Sequence, residues 1–413
     1  MLTGMTVTGY RVGERGFRRI TLAVSAAGMT TFVAMYAAQA VLPQIATEFD
    51  SSPAATALTI SATTGMLALM VVPISVLSER FGRLRIMSVS ALLSVVIGLL
   101  QPWAPSLELL VAMRGLQGIA LAGVPATAMA YLAEEVHPDD VGAAMGKYIA
   151  GTTLGGLAGR LIPSLTLEVG TWRWGMMAAA AASFCFATAT AFLAPKSRHF
   201  VARPVGWRTT ASHLKTHLKT PALVAMFGTG FLLMGGFVSV YNFLGFRLLA
   251  APFDLPDVVV GLIFLMFLAG TVSASAAGRL ADRLGPRRVL VTSEMVMLGG
   301  LLLTWPDHLV PVLIGAFLLT AGFFGAHAVA SGWVGRLATE HRAEASSLYL
   351  LAYYAGSSVM GALAGLAFAA AAWTGVVLYV GGLVLAAAAL VVASQRSRVA
   401  RAADTVTPCD SVL

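Results

Sequence analysis

Twelve long apolar runs, separated by short charged or Pro/Gly breaks, constrain this chain more than anything else in it. A helix crosses a bilayer with about 20 apolar residues. The runs fall near 20–45, 54–77, 86–103, 107–131, 142–165 and 174–194, and then near 222–247, 257–278, 288–305, 309–334, 345–370 and 374–394. In hydrocarbon every backbone polar group has to be satisfied inside the protein, so only helices and closed barrels span it. The alternating ten-residue strands of a barrel are absent, which leaves helices. Charged residues make up 11% of the 413 and hydrophobic ones 58%, whereas soluble domains carry about 25% charged residues. Such a chain cannot clothe a water-soluble globule. The expectation is an all-α integral membrane protein: a segment 1–19, a six-helix bundle 20–194, a polar linker 195–221, a second six-helix bundle 222–394 and a tail 395–413.

Orientation follows from where lysine and arginine are retained, which is on the cytoplasmic side. With an even number of spans both termini share one side, and 23 of the 27 basic residues lie there. They include Arg11 to Arg19, Arg80, Arg83, Arg85, six residues of the linker and Arg279 to Arg288. Arg173 and Arg247 fall on the other side, and Arg114 and Arg160 inside spans. Both termini are therefore expected in the cytoplasm, with the chain in the bacterial inner membrane. The net charge of +8 is a topology signal, and nucleic acid is not an expected partner. The apolar run after Arg19 is too long for a signal-peptide core and reads as a retained first span. Cys185 and Cys409 offer neither a disulfide framework nor metal-ligand spacing. No nucleotide loop, metal cluster or nucleophile–base pair is evident, so neither an enzyme nor a cofactor or metal is expected.

The chain also repeats itself. Residues 76–85 and 279–288 align Glu79 with Asp282, Arg80 with Arg283 and Gly82 with Gly285, at an offset of 203. In spans 5 and 11, Tyr148-Ile-Ala-Gly-Thr-Thr lines up with Tyr353-Tyr-Ala-Gly-Ser-Ser, placing Gly151 on Gly356 and Gly156 on Gly361. Two matches near half the chain length indicate a duplicated six-span unit. Parallel halves around a midplane site are an architecture of secondary transporters.

Both loops resemble the signature of the major facilitator superfamily, G-x-L-a-D-R-x-G-R-R/K, the copy from Gly278 to Arg288 more closely than that from Leu77 to Arg85. Arg114-Gly-Leu-Gln-Gly in span 4 is similar to the R-x-x-Q-G motif of proton-coupled members. Gly151-Thr-Thr-Leu-Gly-Gly-Leu-Ala-Gly in span 5 resembles the antiporter motif without its proline. Arg160 and the Tyr353-Tyr-Ala-Gly-Ser-Ser stretch are similar to the bacterial arabinose-efflux-permease-like branch. The resemblance implies a cytoplasmic gate made of Glu79, Arg80, Gly82, Arg83, Asp282, Arg283 and Gly285. It also links Arg114 to proton coupling.

Other residues are singled out by position. A charge inside a span is costly and marks a functional site by default, which picks out Arg114 with Gln117 on its face, and Arg160. If both face the central cavity they make it cationic, favouring anionic substrates. His327 is the only histidine well inside a span, and an imidazole gains and loses a proton near neutral pH; a hydrogen-bonded core role is equally open. Glu294 is the only embedded carboxylate, which argues against cationic substrates. Tyr36, Gln39, Tyr241, Asn242, Tyr353 and Tyr354 are candidate cavity liners. Gly151, Gly155, Gly156, Gly159, Gly356 and Gly361 are candidate packing positions. Trp172, Trp174, Trp305 and Trp373 read as an interfacial aromatic belt.

The expectation is a monomeric, proton-coupled exporter of a small organic compound. A proton-coupled importer of an organic anion is the alternative, and a membrane sensor a more remote one. The orientation is checked with fusions after Leu413: a fluorescent protein that folds only in the cytoplasm should light up, and a phosphatase that works only in the periplasm should stay inactive.

Overall fold

A computed structural model describes residues 9–202 and 206–404. Among them there is no strand, only an isolated bridge between Tyr10 and Val136. The first half contains α1 (Arg15–Tyr36), α2 (Leu42–Glu48), α3 (Pro53–Phe81), α4 (Arg83–Leu100), α5 (Leu107–Leu121), α6 (Gly123–Glu135), α7 (Val141–Thr166) and α8 (Trp172–Leu193). After the linker helix α9 (Trp207–Leu218) come α10 (Pro221–Leu249), α11 (Asp257–Leu262), α12 (Phe267–Leu284), α13 (Pro286–Leu303), α14 (Leu309–Leu337) and α15 (Arg342–Asp404).

Among the described residues nine helical segments are long and apolar enough to cross a membrane. The last of them, Glu344–Ser394, is two crossings, because Ala371 and Ala372 leave helical geometry and Ala372 takes φ +47°. The charge-bearing α7 and α13 complete twelve. Spans 1, 4 and 8 are each built from two helices, which the apolar runs did not reveal. In span 1, Pro43 cannot donate to the carbonyl four residues back, and in span 4 Pro125 has the same effect. The linker, expected as a polar stretch, contains α9.

Helix pairing obeys the duplication. α1 packs along α7 as α10 packs along α15, and α3 meets α5 as α12 meets α14. Between the halves, α3 lies against α15 and α11 against α7. The junctions α3–α4 and α12–α13 are single-residue corners. Gly82 and Gly285 hold them at φ +95° and +87° with ψ near 140°, a region that side-chain-bearing residues enter only under strain. That is the structural reason for the glycine in each loop.

The α1–α7 contact is a close approach of main chains. A Cβ on Gly151 would lie 2.7 Å from the Ser25 carbonyl oxygen, on Gly155 2.7 Å from Met29 Cα, and on Gly159 2.7 Å from the Val33 oxygen. The four-residue steps on both helices are what small-xxx-small packing requires. Gly356 makes the equivalent approach to Phe231 in the second half, whereas Gly361 has only ordinary contacts from 3.4 Å outward and Gly156 lies beside Arg160. Those two do not make the close main-chain approach of the others.

The break in span 1 frees carbonyls inside the bundle, and Arg114 takes them up. Its Nη1 donates to Ala34 O at 2.7 Å and to Gln117 Oε1 at 2.6 Å, its Nη2 to Met35 O, and its Nε to Thr59 O at 3.2 Å. Gln117 in turn donates to Ser94 O at 2.9 Å and accepts from Gln101 at 2.9 Å. The guanidinium is fully buried, its hydrogen bonds all go to oxygens of its own half, and it does not line the pocket between the halves.

At the end opposite the termini each half is fastened by an arginine and a tryptophan. Arg173 donates to Glu48 at 2.6 Å and to Ala104 O at 3.2 Å, with Trp172 also donating to Glu48. Arg247 donates to Trp305 O and Pro306 O at 3.0 Å and Asp307 at 2.9 Å, and Trp373 donates to Thr304 O at 2.9 Å. Trp172 and Trp373 are buried, so the expected belt shrinks to the exposed Trp174 and Trp305.

Two outcomes follow. Arg114→Gln strands carbonyls that cost about 1–3 kcal/mol each when buried without a donor, so its melting temperature in detergent should fall well below that of Arg160→Gln. Gly155→Val should lose about 1–3 kcal/mol by overpacking, while Gly361→Ala should melt with the parent.

Candidate functional site

Arg160 stands at the junction of the halves. Its α7 backbone is held against α1 by the glycine contacts, and α11–α12 of the other half packs alongside. Arg160 Nε donates to Gln39 Oε1 at 2.7 Å and Nη1 to its own helix at Gly156 O, 2.6 Å. The guanidinium lies 3.8 Å above the Tyr36 ring, 4.4 Å from Phe267 and 5.5 Å from Phe264. It is almost fully buried, and no carboxylate among the described residues lies within ion-pair distance of it. Cation–π contact and two neutral acceptors stabilise the charge, but nothing neutralises it.

Gln39 carries the contact across. Its Nε2 donates to Asn242 Oδ1 at 2.6 Å, both groups buried. Gln39 and Asn242 are separated by the same 203 residues as Glu79 and Asp282, so equivalent positions of the two repeats meet each other. Asn242 Nδ2 is left without a partner. Beside this pair lies a pocket of ≈ 20 Å³, lined among others by Gln39, Gln44, Tyr241, Asn242, Asp257 and Phe264, which is room for a water or two. Gln44 donates to Asp257 at 2.5 Å and Ser358 to Ser61 O at 2.7 Å, again between halves. These bridges run from mid-height to the end opposite the termini.

An aromatic group in the second half adjoins this centre. Phe237 stacks on Phe323 at 3.9 Å, and Tyr241 donates to or accepts from Thr320 at 2.6 Å. His327 Nδ1 is bonded to Tyr349 Oη at 2.9 Å, with the Tyr353 ring at 4.5 Å. Tyr353 is half-buried and packs edge-on to buried Tyr354. Among the candidate liners, Tyr36 and Gln39 touch Arg160 directly and Asn242 through Gln39. Tyr353, Tyr354 and His327 belong to the aromatic wall.

At the end bearing the termini the ion pairs stay within their own half. Arg83 bonds Glu134 at 3.2 Å, with Glu79 at 3.8 Å and Ser78 also bonded. Asp282 pairs with Arg336 at 3.3 Å. Arg80 lies over Phe81 and Arg283 is exposed. No described ion pair at this level joins the halves, so the bridges hold the opposite end closed.

Glu294 is fully buried on the α13 stripe formed with Leu290, Met297 and Leu301, and neither carboxyl oxygen has a hydrogen-bond partner. Sequence had marked it only as an embedded carboxylate. Its isolation is visible only in three dimensions.

The sequence model of the Major Facilitator Superfamily matches residues 24–270 and again 240–406. The chain is 39% identical over 371 residues to an uncharacterized MFS-type transporter of Bacillus subtilis, YybF, covering 90% of this chain and 92% of that protein. It is 39% identical over 383 residues to the inner membrane transport protein YnfM of Escherichia coli, covering 92% and 91%. A chloramphenicol resistance protein of Streptomyces lividans is 31% identical over 214 residues, 49% of this chain and 50% of that protein. In fold it is similar to a bacterial homolog of the human lysosomal transporter Spinster in an inward-facing, occupied conformation, with TM-score 0.76, 15% identity, and 93% of this chain and 98% of that chain covered. A twelve-helix duplicated architecture, a family match across both repeats and relatives of nearly full length converge: the chain is a multi-pass membrane transporter rather than an enzyme, and it belongs to the major facilitator superfamily.

Proposed function

We propose that the protein is a proton-coupled exporter of small organic molecules bearing an anionic group, working by alternating access about Arg160. The observation that carries this reading is a buried guanidinium, boxed by aromatic rings at the junction of the halves, with no carboxylate to neutralise it. A carboxylate or similar group on the substrate is the complementary charge, and a charge-assisted, bidentate pair is among the stronger contacts available in a desolvated site. Binding there displaces Gln39 from Arg160 and so loosens the Gln39–Asn242 bridge, which links occupancy to opening. Export rather than import is favoured by the relative named for chloramphenicol resistance and by the antiporter-like glycines of span 5. With both termini cytoplasmic, the closed end is periplasmic, and the Glu79 and Asp282 loops would close the other end in the opposite state.

Glu294 is the group proposed to carry the coupling proton. Its burial without a hydrogen-bond partner supports this role, because uptake and release of a proton there would be tied to movement of the helices around it. The carboxamide of glutamine imitates the neutral acid.

In everted vesicles energised and loaded with a pH-sensitive dye, amphiphilic carboxylates should cause proton release. Arg160→Gln should lower that response at least tenfold while melting like the parent. A panel in which only cationic compounds respond, with Arg160→Gln unaffected, would falsify the reading; organic-acid uptake in right-side-out vesicles instead would reverse the direction. Glu294→Gln should keep substrate exchange between loaded vesicles and lose accumulation driven by the pH gradient. Accumulation at the parental level would remove Glu294 from coupling.

A further inference from the structure

The linker between the halves is pinned at both ends. Its first leg rests on the first half, where Arg198 N and His199 N donate to buried Glu135 Oε1 at 2.7 and 3.1 Å and Tyr131 donates to Pro195 O at 2.5 Å. Its second leg is α9, which packs on α10 and α15 of the second half. There His213 and His217, four residues apart on one helix face, meet the turn that leads into α15. His217 Nε2 is bonded to His341 O at 3.1 Å, and His341 stands at φ +49°. A left-handed residue persists where its surroundings fix it, and here the fixing turns the His341 ring face-on to His213, with centroids 3.4 Å apart. Glu344, in the first turn of α15, completes the group with Oε1 3.1 Å from His213 Nδ1.

One ligating atom from each of His213, His341 and Glu344 lies within 4.8 Å of the others. Metal–nitrogen and metal–oxygen bonds of about 2.0–2.2 Å place tetrahedral ligand atoms about 3.4 Å apart, so the His213–Glu344 edge is already near that length. The exposed His341 ring closes the remaining edges by turning about its side-chain bonds. The nearest arginine in sequence, Arg342, directs its Nε to Ala338 O at 3.1 Å.

We propose that His213, His341 and Glu344 form a binding site for a divalent transition metal of the zinc class, with solvent in the fourth position. Two imidazoles and one carboxylate suit zinc and its neighbours and do not suit calcium or magnesium, which take all-oxygen shells. The metal would tie α9 to the start of α15 and so fasten the linker to the second half. No motif spacing reveals the site, because His213 lies 128 residues from His341 and 131 from Glu344 in the chain.

Cobalt(II) is the probe, because its visible absorption reports coordination. The full chain, purified in detergent through a histidine-free tag, should bind one Co²⁺ with a tetrahedral-type band that Zn²⁺ displaces and Mg²⁺ does not. His213→Gln and His341→Gln should each weaken binding at least tenfold, and His308→Gln should leave it unchanged. If either glutamine variant no longer elutes as a single peak, Glu344→Gln takes its place. Absence of the band in the parent overturns the proposal, as does a band of parental affinity in the ligand variants.

Discussion

Arg160 is the constraint around which the two halves are arranged. A positive charge in a span is tolerated when neighbouring groups share it, and here the sharing is done by two amide or carbonyl oxygens and three aromatic rings. One of those acceptors, Gln39, is also the donor to Asn242. The same side chain therefore stabilises the charge and bridges the halves, and a change at one is felt at the other. Coupling of occupancy to opening needs such a shared element.

Arg114 has the same chemistry and the opposite commitment. Its donors go to Ala34 O and Met35 O, beside the interruption of span 1, and to Thr59 O and the Gln117 side chain. The interruption in turn places Gln39, which lies in the short turn Gln39–Val41 between α1 and α2. One buried arginine builds the bend and the other uses the residue that the bend presents.

The fold was legible because the hydrocarbon interior allows so few solutions: long apolar runs, basic loops and a repeat at offset 203 led to twelve helices in two units. Gly82 and Gly285 were legible as a paired motif, and their positive φ gives the physical reason. Sequence marked Arg114 and Arg160 alike as charges inside spans, and their different commitments lie in which atoms surround them. Trp172 and Trp373 looked like interfacial residues because burial against Glu48 and Thr304 depends on distant loops. The isolation of Glu294 and the convergence of His213, His341 and Glu344 are likewise products of packing, and periodicity carries no trace of them.

The most direct measurement is a structure of the protein with a transported carboxylate bound. The account predicts the anionic group within hydrogen-bond distance of the Arg160 guanidinium, with Gln39 displaced from it. A substrate seated elsewhere while Arg160 Nε still donates to Gln39 would contradict it.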